Sequence, residues 1–152
     1  MSPMRLAIFA CLASATLALA HEGATGVVKE RMDLMKRQQK DMKLIGDMAK
    51  GKKPFDAAKA AEAARDISVT AKKIHELFPE GSSGHPSEAK AAIWTDWNEF
   101  SAKADELDVS AEALAGSLGE APGQDWKGAF KKVTDACNGC HEKFRAEKQG
   151  HH

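Results

Sequence analysis

The segment Cys137-Asn138-Gly139-Cys140-His141 concentrates the reactive side chains of this 152-residue chain. Only three cysteines occur in the sequence; two of them stand here, three positions apart and followed at once by a histidine. On a helix, residues three apart lie on one face, one turn above the other. Thiols so placed match the spacing of the two vinyl groups on one haem edge, where each can form a thioether. The imidazole beside them can then bind the iron. This is the c-type haem attachment pattern, and one motif implies one haem. Two other chemistries use Cys-x-x-Cys. A thioredoxin-like disulfide needs a βαβ setting, and a structural zinc site needs four ligands. The sequence offers neither the setting nor a second ligand pair at the required spacing.

Such a motif has to be carried on a helix and enclosed by others, and the rest of the chain supplies them. Ala, Lys, Glu and Leu are abundant, Tyr is absent and Pro occurs five times, a mixture that favours helix over strand. Over residues 25–50, Val28, Met32, Met35, Gln39, Met42, Ile45 and Ala49 step by three or four, and Gly51 stops the pattern. Asp56 caps a second pattern through Ala57, Ala61, Ala64, Ile67, Ala71, Ile74 and Phe78. The stretch PEGSSGHP over 79–86 is a loop. Ser87 is placed to cap a third helix, whose stripe is Ile93, Trp97, Phe100, Ala104, Leu107, Ala111, Leu114 and Leu118. GEAPGQ over 119–124 breaks it. Asp125 caps the last helix, with Trp126, Phe130, Val133, Cys137, Cys140 and Phe144 on one side.

Four amphipathic segments with short connections predict an all-α fold, an antiparallel up-and-down four-helix bundle. Many core positions are alanine, which makes the seams thin. A large apolar cofactor between the helices would supply the missing buried area.

Residues 1–20 read as a different kind of sequence. One basic residue, Arg5, precedes an apolar run of small side chains that ends in Ala18-Leu19-Ala20. The run is short for a membrane span of about 20 residues and reads as a secretory signal peptide. Cys11 would be removed with it, leaving residues 21–152 as one exported domain with no membrane span. The 22 basic and 22 acidic residues balance, which argues against a nucleic-acid partner. Export also suits the motif, because c-type haem is attached outside the cytoplasm.

A leader of this kind, four helices and CNGCHEKFR close to the C-terminus resemble the cytochrome c′ family, over about residues 24 to 148. The resemblance implies one covalent haem c on Cys137 and Cys140, with His141 as the proximal iron ligand. Its first helix decides the subtype. In the high-spin branch an apolar residue faces the iron and leaves a site open to NO or CO. In the low-spin branch, the cytochrome c-556 type, a methionine near the start of that helix is the sixth ligand. The segment DLMK…DM…GDMAKGKKPFD resembles the low-spin branch and places Met35 at the ligand position, with Met32 as the other candidate. Without a haem, methionines at helical spacing would be soft core filler. Arg31, four residues before Met35, matches a position where arginine approaches a haem propionate. Arg145, four after His141, matches one beside the proximal ligand.

The function implied is a periplasmic single-electron carrier with periplasmic redox proteins as donor and acceptor, and not an enzyme. The alternative is a gas-binding high-spin protein. Relatives occur as monomers and dimers, so a homodimer through the first two helices is among the expected assemblies. Trp94 stands either near the haem or on the surface. His75 and His85 read as surface histidines, and His21 and His151–His152 carry no designed metal site.

Overall fold

The structure is a computed structural model that describes residues 24–83, 86–119 and 125–146. The expected leader over 1–20, His21, His85 and His151–His152 lie outside these residues. Five α-helices and one 3₁₀ turn follow in order: α1 (Gly26–Ala49), α2 (Ala57–Ala71), the turn His75–Leu77, α3 (Ala92–Thr95), α4 (Trp97–Gly119) and α5 (Trp126–Phe144). The long helices α1, α2, α4 and α5 form the four-helix bundle. Helix α2 packs along α4, α4 along α5 and α1 along α2, while α1 meets α5 only over a short stretch.

The caps expected at two helix starts are present. Asp56 accepts a hydrogen bond from the backbone N–H of Lys59 at 3.0 Å, and Asp125 accepts one from Gly128 at 2.8 Å. Each satisfies a donor that the first turn leaves without an intrahelical partner. Gly51 ends the α1 region at φ +69°, where a side chain would be strained. The second pattern runs as expected to Phe78, but the α-helix closes at Ala71 and the chain tightens into the 3₁₀ turn.

The buried residues of the third pattern match its heptad-like stripe. Ile93, Phe100, Ala104, Leu107, Ala111, Leu114 and Leu118 are all buried, and Trp97 is half-buried. Two other expectations are corrected. Ser87 does not start the third helix: its hydroxyl accepts from Ala89 N–H at 3.2 Å, and the helix begins only at Ala92, bending at Asp96 before α4. The reason is competition for backbone groups. Lys90 N–H donates to the Phe144 carbonyl at 2.9 Å and Ala146 N–H to the Glu88 carbonyl at 2.7 Å. Residues 88–90 therefore pair with the end of α5 in an isolated antiparallel bridge, Ala89 against Arg145. On α1, the buried polar position is Gln38 and not Gln39, because Arg31, Leu34 and Gln38 form the inward row at that end. Gln38 Nε2 donates to Thr70 Oγ1 of α2 at 3.1 Å, so the amide is satisfied inside the core.

An aromatic cluster closes the end of the bundle that carries His141. Phe100 of α4 meets Phe78 edge-on at 4.9 Å between centroids and Phe144 of α5 at 5.4 Å. Trp94 Nε1–H donates to the carbonyls of Phe78 and Pro79. Rings at these separations add to the stabilisation that burial already provides.

Candidate functional site

Cys137, Cys140 and His141 sit in the second half of α5. Their partner helix across the thin α1–α5 seam presents Met35. All four residues line one cavity, whose remaining wall comes from Gln38 of α1, Ile74 after α2, Lys103, Ala104 and Leu107 of α4, and Ala136 of α5. The structure thus brings together four of the five site residues expected from the sequence. Met32, the other methionine considered, is half-buried on α1 and is not part of that wall.

Arg31 is the fifth. It is buried, 3% exposed, one turn before Met35. Its guanidinium lies 4.8 Å from the centroid of the Phe78 ring. Nη1–H donates to Ser82 Oγ at 3.2 Å and Nη2–H to the Ser82 carbonyl. Nε is buried without a hydrogen-bond partner. A lone buried donor on a cation is costly, and a carboxylate is the group that would satisfy it.

The site's own chemistry follows from burial. Desolvation pushes the Cys137 thiol up to about 11, with the neighbouring Cys140 adding to the effect. Burial raises Cys140 as well. Both sulfurs are held as thiols at neutral pH. His141 is shifted down, first by burial and then by the Arg145 cation, against the opposing pull of Glu88. The imidazole is therefore neutral at pH 7, the form that donates a lone pair to a metal.

Arg145 itself is exposed and bound to Glu88, with Nε–H donating to Oε2 at 2.6 Å. Its influence on His141 is that of a nearby charge whose own contact is with Glu88. Phe144 is a core residue, 2% exposed. His75 is half-buried rather than freely exposed; its Nε2 lies 3.0 Å from Asp105 Oδ1 and its ring meets Trp97 edge-on.

The donor set suits haem c. Two thiols one turn apart suit a haem's two vinyl groups, and a neutral imidazole beside them and a thioether on the facing helix are borderline and soft iron ligands, set in a wall of Ile74, Ala104, Leu107 and Ala136. Among the described residues no group of three or more His, Cys, Asp or Glu side chains could hold a metal ion on its own. A wider hollow at the α3–α4 bend is lined by residues 95–99 and Lys143. There Lys143 is bound to Asp96 and Glu99, so that hollow is a surface ion-pair cluster without a nucleophile or a ligand set.

Two wall residues were not legible from the stripe. Gln38 stands one position from the expected Gln39, and Lys103 immediately precedes the buried Ala104. Both are polar residues next to core positions, and only the packing of α1 and α4 turns them inward.

Comparison with known proteins gives concordant results. Residues 26–145 match the family model described as Cytochrome C'. The chain is 34% identical to a cytochrome c-556 of Agrobacterium fabrum, over 93% of this chain and 92% of that protein. It is 38% identical to a cytochrome c′ of Rubrivivax gelatinosus, over 66% of this chain and 79% of that one. Among solved structures, cytochrome c prime from Shewanella frigidimarina superposes with a TM-score of 0.75 at 31% identity, covering 80% of this chain and 94% of its own.

Proposed function

The chain belongs to the cytochrome c′ family, and from that premise we propose that it is an exported, periplasmic single-electron carrier whose iron is held by His141 and Met35. Covalently attached haem c is the cofactor of the family, and Cys137 and Cys140 are the thiols that match it. The observation that carries the finer reading is the position of Met35. It lines the same cavity as Cys137, Cys140 and His141 from the opposite helix, whereas Met32 does not.

When bound, haem c supplies a one-electron Fe(III)/Fe(II) couple. The residues around it have simpler tasks. Cys137 and Cys140 would hold it to α5 as thioethers, each S–H adding across one vinyl group. His141 offers a neutral nitrogen and Met35 a soft thioether, which favours the ferrous state. Both side chains are set on packed helices, so neither has to move when the electron arrives, and a fixed ligand set keeps reorganisation small. Ile74, Ala104 and Leu107 keep water away from the centre. Arg31, with its free Nε–H, would donate to a haem propionate. No substrate is turned over in this scheme, so the protein is not an enzyme. Among the described residues no helix is long and apolar enough to cross a membrane.

The test is the absorption spectrum of the holoprotein, oxidised and reduced, with and without CO. His/Met ligation predicts a sharp low-spin reduced spectrum that ignores CO and a weak far-red thioether–ferric band. Met35→Ala should abolish that band and admit CO, while Met32→Ala should leave it. A broad high-spin spectrum that shifts at once with CO would overturn the Met35 ligand and make the protein a binder of NO or CO.

A further inference from the structure

We propose that Lys103 sets the reduction potential of the centre held by Cys137, Cys140 and His141, by keeping an uncompensated positive charge in its wall; this rests on the haem reading above. Among the described residues Lys103 is the sole lysine or arginine lining that cavity. Its Nζ lies 3.6 Å from the point where a Cβ would stand on Gly139, within the attachment motif itself. Glycine at 139 leaves that approach clear, and Lys103 is half-buried.

Of the other cations nearby, Lys143 is bound to Asp96 and Glu99, and Arg145 to Glu88. Arg31 also lacks a carboxylate partner, but it lies outside the cavity wall, against Ser82 and the Phe78 ring. Lys103 has no carboxylate partner among the described residues. A fixed positive charge beside the iron stabilises the form with one positive charge fewer. The step it biases is the gain of one electron, Fe(III) to Fe(II), with no bond or proton exchanged.

The experiment is a potentiometric titration of the holoprotein and of Lys103→Gln, Lys103→Arg and Lys103→Glu, followed by haem absorption. Before titration, each protein is checked for haem that stays with the chain in acid–organic solvent. Lys103→Gln should lower the Fe(II)/Fe(III) ratio at a fixed ambient potential on the order of tenfold, the effect of one nearby charge at a partly exposed site. For a one-electron couple that is a midpoint lower by about 59 mV. Lys103→Glu should go further in the same direction and Lys103→Arg should restore the wild-type midpoint. All band positions should stay put, because no ligand changes. A Lys103→Gln holoprotein with the wild-type midpoint and unchanged bands would overturn this inference and leave the haem reading intact. A wild-type chain from which no covalent haem can be recovered would overturn the haem reading, and this inference with it.

Discussion

Arg31 of α1 reaches across the bundle end to Phe78, its guanidinium 4.8 Å from the ring centroid, and ties the loop at Ser82 with two further hydrogen bonds. One buried side chain thus joins α1 to the segment that follows α2. Arg31→Ala should remove the ring contact and take the guanidinium donor from the Ser82 carbonyl, lowering stability by about 2 kcal/mol. Urea unfolding measures it. Arg31→Lys should recover only part of the loss, since an ammonium cannot span ring, hydroxyl and carbonyl together.

Asp41 of α1 gives a pH dependence whose sign can be worked out. Its Oδ2 is buried without a hydrogen-bond partner. Burial first, then the neighbouring Asp66 carboxylate, pushes Asp41 up to about 6. Asp66 is held low, chiefly by its hydrogen bonds from Arg37, so the shared proton belongs on Asp41. The native state then binds this proton more tightly than the unfolded chain does. Stability contributed by Asp41 is greatest below the usual carboxylate range and is lost as pH rises from about 4 to about 6. Asp41→Asn should therefore be more stable than wild type at pH 7, by about 1 kcal/mol after allowance for solvent screening. The gap should close at pH 4. Thermal melts at the two pH values decide it.

Gly46 of α1 faces Phe130 of α5, and a Cβ at Gly46 would stand 3.5 Å from Phe130 Cζ. That is ordinary contact, so Gly46→Ala should be tolerated. It should even stabilise the helix by about 0.5 kcal/mol, because alanine loses less conformational freedom than glycine. Gly46→Leu should instead push α1 away from α5 and cost about 2 kcal/mol. Comparing the two variants by chemical denaturation separates propensity from packing.

The Glu88–Arg145 ion pair invites a double-mutant cycle. Its side chains are 41% and 42% exposed, and exposed pairs couple weakly. The coupling energy should be no more than about 0.5 kcal/mol, and less at high salt. A coupling several times larger would show that the pair, and not the backbone bridge beside it, holds residues 87–90 against α5.

Much of this architecture was legible because helical periodicity and local capping chemistry are short-range signals. Asp56 and Asp125 each cap a helix from within three residues, and the stripe along α3 and α4 repeats over about three and a half heptads. Cys137, Cys140 and His141 could be read in the same way, since their meaning lies in their spacing. The errors were long-range. Ser87 has the right side chain for a cap, but residues 88–90 spend their backbone groups on residues 144–146, more than fifty positions away. Gln38 displaces Gln39 because Thr70 of another helix offers it a partner. Lys103 became visible only once α4 was laid against α5. Nothing in its sequence neighbourhood sets it apart from the other lysines of the chain.

The bridge between residues 88–90 and 144–146 bears on motion. The last turn of a helix has carbonyls without partners and is ordinarily the first part to fray. In α5 that turn is pinned. The Phe144 carbonyl receives Lys90 N–H, Ala146 N–H reaches back to Glu88, and the Phe144 ring is sealed in the core. His141 lies within the final turn, yet the backbone under it is fastened on both sides. Amide exchange there should be as slow as in the middle of the helix, and the imidazole stands on a rigid footing at the end of its helix.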